Sequence, residues 1–164
     1  LLDCRGLSCY TLSMTSIWIT GTIKADLVET VGEALAKDTQ SIDVYINSYG
    51  GCAATSFAVH NMLAADPRVN IHILGAAYSG GAVIGLSKDN FTMTENAQFM
   101  FHKASGWVGR GNSHKLKRAA GELAYWDKAM RKLFKGLLTD KELAEFDAGE
   151  NVFVSAKQIS KRLK

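Results

Sequence analysis

Ser79 stands among small residues, Ala76, Ala77, Gly80 and Gly81, between an apolar β-branched run and an apolar helical one. A serine so placed can act as a nucleophile. Small neighbours let a carbonyl approach, and free N–H groups at a helix start favour a developing negative charge. The same placement suits a helix N-cap, a common employment of serine. An attacking hydroxyl needs a base, because its own acidity is negligible at neutral pH. His102 closes the apolar run Phe99-Met100-Phe101 before a glycine-rich stretch, which places an imidazole at the rim of a core. His72 alternates with Ile71 and Ile73 and is expected on the outer face of a strand, while His60 falls in a helical run and His114 in a polar one. A carboxylate would hold the imidazole tautomer and support its charged form. Asp147, in Phe146-Asp147-Ala148-Gly149, is a candidate that spacing does not choose over Asp140 or Glu145. Its plainer role is a turn aspartate before Gly149.

Gly50-Gly51 ends another apolar run. It reads as a tight turn or as a place where a backbone N–H can face an oxyanion without a side chain in the way. The stretch Gly106–Gly111 has the wrong glycine spacing for a nucleotide fingerprint, and no Lys-Ser/Thr follows. No cysteine–histidine set has metal-ligand spacing, so no metal is expected.

These residues need elements to hold them. Ser16–Thr20, Ile42–Ile46 and Val69–Leu74 read as strands, and Phe91–Thr94 and Gln98–His102 as shorter ones. Ala25–Lys37 and Ala53–Ala65 step helically, the second ending before Pro67; Ala82–Ser87 reads as a buried helix. Asn47–Gly51 and Gly75–Gly81 are expected as turns. Ser113–Leu138 is the longest helical pattern, with Leu116, Leu123, Trp126, Met130 and Leu137 on one stripe broad enough for a subunit interface. Alternating strands and helices predict an α/β fold with a largely parallel sheet, whose sites form at the carboxyl ends of strands.

The chain has 164 residues, 47% of them apolar and 21% charged, enough for one domain with a core and without a polar linker to divide it. Nineteen basic against sixteen acidic residues give a net charge of +3, too small an excess to argue for nucleic acid. The basic residues of the long helical segment are mixed with Glu122 and Asp127 and read as a solvated face. No run is long enough for a membrane span, and Leu1–Tyr10 lacks the features of a signal peptide. Cys4, Cys9 and Cys52 are an odd number, which favours a reducing compartment over a disulfide framework.

Taken together, Ile46-Asn47-Ser48-Tyr49-Gly50-Gly51, then Gly75-Ala76-Ala77-Tyr78-Ser79-Gly80-Gly81-Ala82, then Phe99-Met100-Phe101-His102-Lys103 resemble the successive signatures of the ClpP-type serine peptidases. The resemblance runs from about Ile17 to about Ile159. It implies a ClpP/crotonase-like fold with stacked, largely parallel sheets over a single domain spanning 1–164, and a protruding handle helix over about 113–138. It implies Ser79 as nucleophile, His102 as general base and Asp147 as third triad member, the last anchored by the downstream Phe153-Val154-Ser155-Ala156. The N–H groups of Gly50 and Gly80 match the oxyanion hole, and Gly106, Trp107, Val108 and Gly109 match the strand that lines the substrate channel.

The same resemblance implies a cytoplasmic serine endopeptidase without cofactor, cutting unfolded polypeptides inside a homo-oligomer of heptameric rings stacked as a tetradecamer, with an AAA+ ATPase unfoldase as partner. Neither nucleic acid nor membrane is implied. Several positions depart from the family pattern. Tyr49 stands where proline is usual, Gly80 where methionine is common, and Lys103-Ala104 where a proline follows the histidine. The segment 1–15 does not resemble the usual axial loop and first helix. These departures point to a divergent, phage-encoded branch in which the peptidase processes capsid or scaffold proteins. Two alternatives stand beside this reading: a catalytically silent ring subunit, and a crotonase-type acyl-CoA enzyme.

Overall fold

The computed structural model describes residues 13–106 and 109–162. The elements in chain order are β1 (Met14–Ile23), α1 (Leu27–Leu35), β2 (Ser41–Gly51), α2 (Ala53–Ala65), β3 (Val69–Tyr78), α3 (Gly80–Gly85), β4 (Phe91–Met93), β5 (Gln98–Phe101), α4 (Ser113–Phe134), α5 (Asp140–Ala148), β6 (Val152–Ser155) and α6 (Ala156–Arg162). The strands form one six-stranded sheet in the order β1-β2-β3-β5-β6, with β4 also paired to β3. Every pairing is parallel except β5 with β6. The α/β fold with a mostly parallel sheet is thus as the strand–helix alternation requires.

Register explains the core. Ile17, Val44 and Ile71 lie abreast, as do Ile19, Ile46 and Ile73, and all six are buried. Strand side chains alternate, so the row between them, Trp18, Tyr45 and His72, faces the other way. Those three rings stack at 4.6 and 4.9 Å, and Trp18 is 60% exposed. The expected outward placement of His72 is what the structure has, with Nδ1 2.7 Å from Thr92 Oγ1.

Two strands overrun their expected ends. Asn47-Ser48-Tyr49 and Gly75-Ala76-Ala77 carry turn-forming residues yet continue β2 and β3, with Ser48 paired to Ala77 across a register irregularity. Asn47 Oδ1 accepts the Ala76 N–H at 3.0 Å, and a Cβ on Gly75 would lie 2.7 Å from that oxygen. Gly75 therefore makes room for a side chain bridging two strands, instead of turning the chain. The long helix ends at Phe134, not Leu138; Leu137 and Leu138 are buried in the turn that follows. Asp147 sits in the last turn of a helix, α5, which closes at Gly149 with φ 92°.

The far end of the core is aromatic. Phe99 stacks on Phe101, Phe101 meets Phe134 of α4 at 4.6 Å, and Phe134 meets Phe146 of α5 at 5.8 Å. All four are fully buried, and truncating one such ring costs about 3–5 kcal/mol. This column fixes the base of α4 on β5. The rest of α4 stands away from the core: of its 22 residues only Met130 and Phe134 are buried.

Candidate active site

The sheet delivers Ser79 at the end of β3, where the chain turns into α3. Its backbone sits at φ 53°, ψ −117°, among the described residues the one non-glycine with positive φ. Such a conformation costs of order 1–3 kcal/mol and persists only when its surroundings hold it. Here the Ser79 N–H donates to Met100 O at 2.8 Å, while Ser79 O accepts from Ala82 and Val83 N–H. The serine is pinned between a strand and a helix start. The N-cap expectation is met in position only, because its hydroxyl caps nothing.

Met100 belongs to β5, and two residues on the chain leaves that strand at His102. Ser79 and His102 open into one cavity of about 460 Å³. Its other walls are Gly51 at the end of β2, Cys52 at the start of α2, Ala104 and Gly106 after β5, and Leu123, Trp126 and Met130 of α4. Trp126 stacks on Phe57 of α2 with ring centroids 5.4 Å apart, which closes the far side. His102 is half-buried, and burial pulls its pKa below the ordinary 6.5 against the opposing charge of Asp127. Its imidazole is therefore neutral at neutral pH, the state a general base requires. The other histidines are placed elsewhere: His60 Nδ1 is 2.7 Å from Val83 O, and His114 lies in the exposed start of α4.

Ser79 Oγ and His102 share the cavity without a hydrogen bond between them. Asp147 is hydrogen-bonded to neither and does not line the cavity. Arg131 Nε donates to its Oδ1 and Oδ2 at 2.7 and 3.0 Å, Arg131 Nη2 donates to Oδ2 at 2.8 Å, and Lys103 Nζ donates to its main-chain oxygen at 2.6 Å. The Arg131 guanidinium keeps its carboxyl below the usual carboxylate range. Asp140 and Glu145, the other carboxylates considered, lie in α5 too, at its first turn and against Lys141.

Of the two expected oxyanion donors, Gly50 requires correction. Its N–H donates to the buried Ser48 Oγ at 3.1 Å, and that hydroxyl donates to Gly21 O at 2.6 Å. The donor faces inward; Gly51 is the glycine of the pair that lines the cavity. Gly80 lines it too, and its N–H, the first of α3, has no acceptor in its own helix. A Cβ at Gly80 would collide with Ser56 Oγ, which is why no larger residue stands there. In the expected channel loop Gly106 borders the cavity and Gly109 has φ 62°, while Trp107 and Val108 lie outside the described residues.

Sequence reasoning gave no site role to Cys52 or Asp127, and from the pair Gly50-Gly51 it took Gly50 as the donor. Cys52 begins α2 at the cavity wall, and its thiol pKa is lowered by a hydrogen bond with Thr55. Asp127 Oδ1 accepts the Ala104 N–H at 2.6 Å, tying α4 to the segment that carries His102. Its signal was available: Leu123, Trp126 and Met130 mark one helix face, and Asp127 shares it. No cluster able to hold a metal ion occurs among the described residues, nor any helix long and apolar enough to cross a membrane.

Among solved structures, a ClpP1 mutant from Listeria monocytogenes matches with a TM-score of 0.72 at 20% identity, over 90% of this chain and 86% of that one. At that identity the likeness is one of fold. No curated protein matches the chain. A family model described as Clp protease matches residues 9–158, a span that holds all six strands and the cavity they build. The chain therefore belongs to the Clp protease family.

Proposed function

We propose that the protein is a serine endopeptidase acting on unfolded polypeptides, with Ser79 as nucleophile and His102 as its general base. The observation that carries this reading is the strained turn at Ser79, opening beside a neutral, half-buried His102 into one cavity. His102 takes the Ser79 proton as the oxygen attacks a peptide carbonyl. The oxyanion lies against the Gly80 N–H, with Gly51 as the adjoining wall. His102 then gives its proton to the leaving amine, and a water activated by the same imidazole hydrolyses the acyl-enzyme.

The exposed length of α4, with Leu116 at 47% and Tyr125 at 65% exposure, supports a homo-oligomer. In this reading the chambers are paired heptameric rings fed by an AAA+ unfoldase, in a bacterial or phage-infected cytoplasm. Tyr49, Gly80 and Lys103 support a divergent, phage-type branch that processes capsid or scaffold proteins. A second reading, a catalytically silent ring subunit, is favoured by the hold of Arg131 on Asp147 and by the unlinked Ser79 and His102. Nothing in the site favours the acyl-CoA alternative.

A fluorophosphonate probe distinguishes the two. Intact mass and peptide mapping of the assembled protein should give a single adduct on Ser79, absent from Ser79→Ala. An adduct on another residue, or none, would sink the peptidase reading in favour of the silent subunit.

A further inference from the structure

The geometry points to Asp127 of α4, rather than Asp147, as the carboxylate that positions His102 for proton transfer. The inference rests on the peptidase reading of Ser79 and His102.

Three observations converge. Both oxygens of Asp147 are engaged by Arg131, so reaching an imidazole would break a bidentate charge-assisted pair. Asp127 already grips the chain two residues beyond His102, through the Ala104 N–H. Its other oxygen, Oδ2, accepts no hydrogen bond among the described residues. Finally, Asp127 lies on the helix face whose Leu123, Trp126 and Met130 border the cavity that His102 enters.

The negative charge of Asp127 opposes the burial that depresses the His102 pKa and steadies the imidazolium formed when Ser79 gives up its proton. The other charged or titratable groups at this cavity are Lys115 and Glu122 from the outer turns of α4 and the Cys52 thiol; Lys103, next in chain to His102, turns its ammonium to the Asp147 main-chain oxygen. Arg131 and Asp147 neutralise each other. The arrangement takes a carboxylate from the helix preceding α5 and leaves the α5 carboxylate to brace α4 through Arg131.

The test compares Asp127→Asn, Asp127→Glu and Asp147→Asn in the full chain. Asparagine keeps an Oδ1 acceptor for the Ala104 N–H and removes only the charge, and a thermal midpoint near wild type verifies that the fold is kept. Two readouts are followed across pH: the rate of Ser79 labelling by a fluorophosphonate, and the His102 imidazole titration by NMR. Asp127→Asn should slow labelling on the order of a thousandfold, by analogy with neutralising a triad carboxylate. It should also lower the His102 pKa further, while Asp127→Glu restores part of both. Asp147→Asn should do less on each measure. The inference is overturned if Asp147→Asn produces the larger loss and the fall in the His102 pKa while Asp127→Asn behaves as wild type. Failure of the wild type to label would refute the peptidase reading instead, and the NMR titration would still decide which carboxylate His102 senses.

Discussion

A Cβ placed on Gly50 would lie 2.7 Å from Ser79 Cβ and 2.9 Å from the Gly80 nitrogen. The end of β2 and the turn after β3 are thus pressed together where neither tolerates an added methyl. Gly50 also has φ 95°, a conformation unfavourable to any side chain. Gly50→Ala should therefore displace Ser79. We expect a loss of about 2–3 kcal/mol, a fall of several degrees in the thermal midpoint, and labelling of Ser79 reduced by at least tenfold. Unchanged melting and labelling would show that this contact is slack.

The strain at Ser79 predicts different stabilities for two variants that lack its hydroxyl. Ser79→Ala keeps a Cβ at φ 53° and should melt close to wild type. Ser79→Gly releases the strain, less the greater freedom of glycine in the unfolded chain. A net gain on the order of 1 kcal/mol, or about 3 °C, is expected from calorimetry of the pair. If Ser79→Gly melts lower than Ser79→Ala, the turn is not strained.

In the proposed mechanism His102 sets the acid limb of Ser79 labelling. Its pKa lies below 6.5 because burial disfavours the imidazolium, so the free base prevails at neutral pH. Labelling of Ser79 should rise with pH along a single limb whose midpoint lies below 6.5. A midpoint above 6.5 would mean that the charge of Asp127 outweighs burial.

Arg68 ties the end of α1 to the loop before β3, donating to Leu35 O at 2.7 Å, Lys37 O at 2.8 Å and Asp66 Oδ2 at 2.6 Å. The hydrogen bond from Arg68 pulls the Asp66 pKa down to about 2 from 3.8. A carboxylate whose pKa is lower when folded stabilises the fold above its unfolded value and ceases to as pH falls through its folded value. Wild type should lose that contribution between about pH 4 and pH 2. Arg68→Gln should be less stable at pH 7, from several lost hydrogen bonds, and should show a shallower decline over the same interval. Urea denaturation at a series of pH values checks both.

Punctuation marks in the sequence were informative where they did one job. The bounds of α2 follow from Gly50-Gly51 before it and Pro67 after it, and the structure has it at Ala53–Ala65 as expected. They misled where a glycine served close approach: Gly75 admits the Asn47 side chain and β3 runs on to Tyr78. The elements α5, β6 and α6 went unread because each is short and β6 is only four residues long. Ser79 and His102 were legible because strand ends bring them to one rim. The surroundings of His102 were not, since Asp127 comes from a helix whose angle to the sheet is set by Phe101, Phe134 and Phe146, a tertiary contact that no local pattern encodes.

The stance of α4 has a thermodynamic consequence. Its base is clamped in the core, yet the outer turns that carry Lys115, Ala119, Glu122 and Leu123 form a cavity wall with little behind them. The wall is a lever with a fixed fulcrum. A body that leans on its outer side narrows or widens the cleft, and a peptide that fills the cleft changes how readily that body binds, by an equal free energy. Occupancy of the site and whatever braces the lever are therefore reciprocal, so the affinity for substrate would depend on the concentration of the brace.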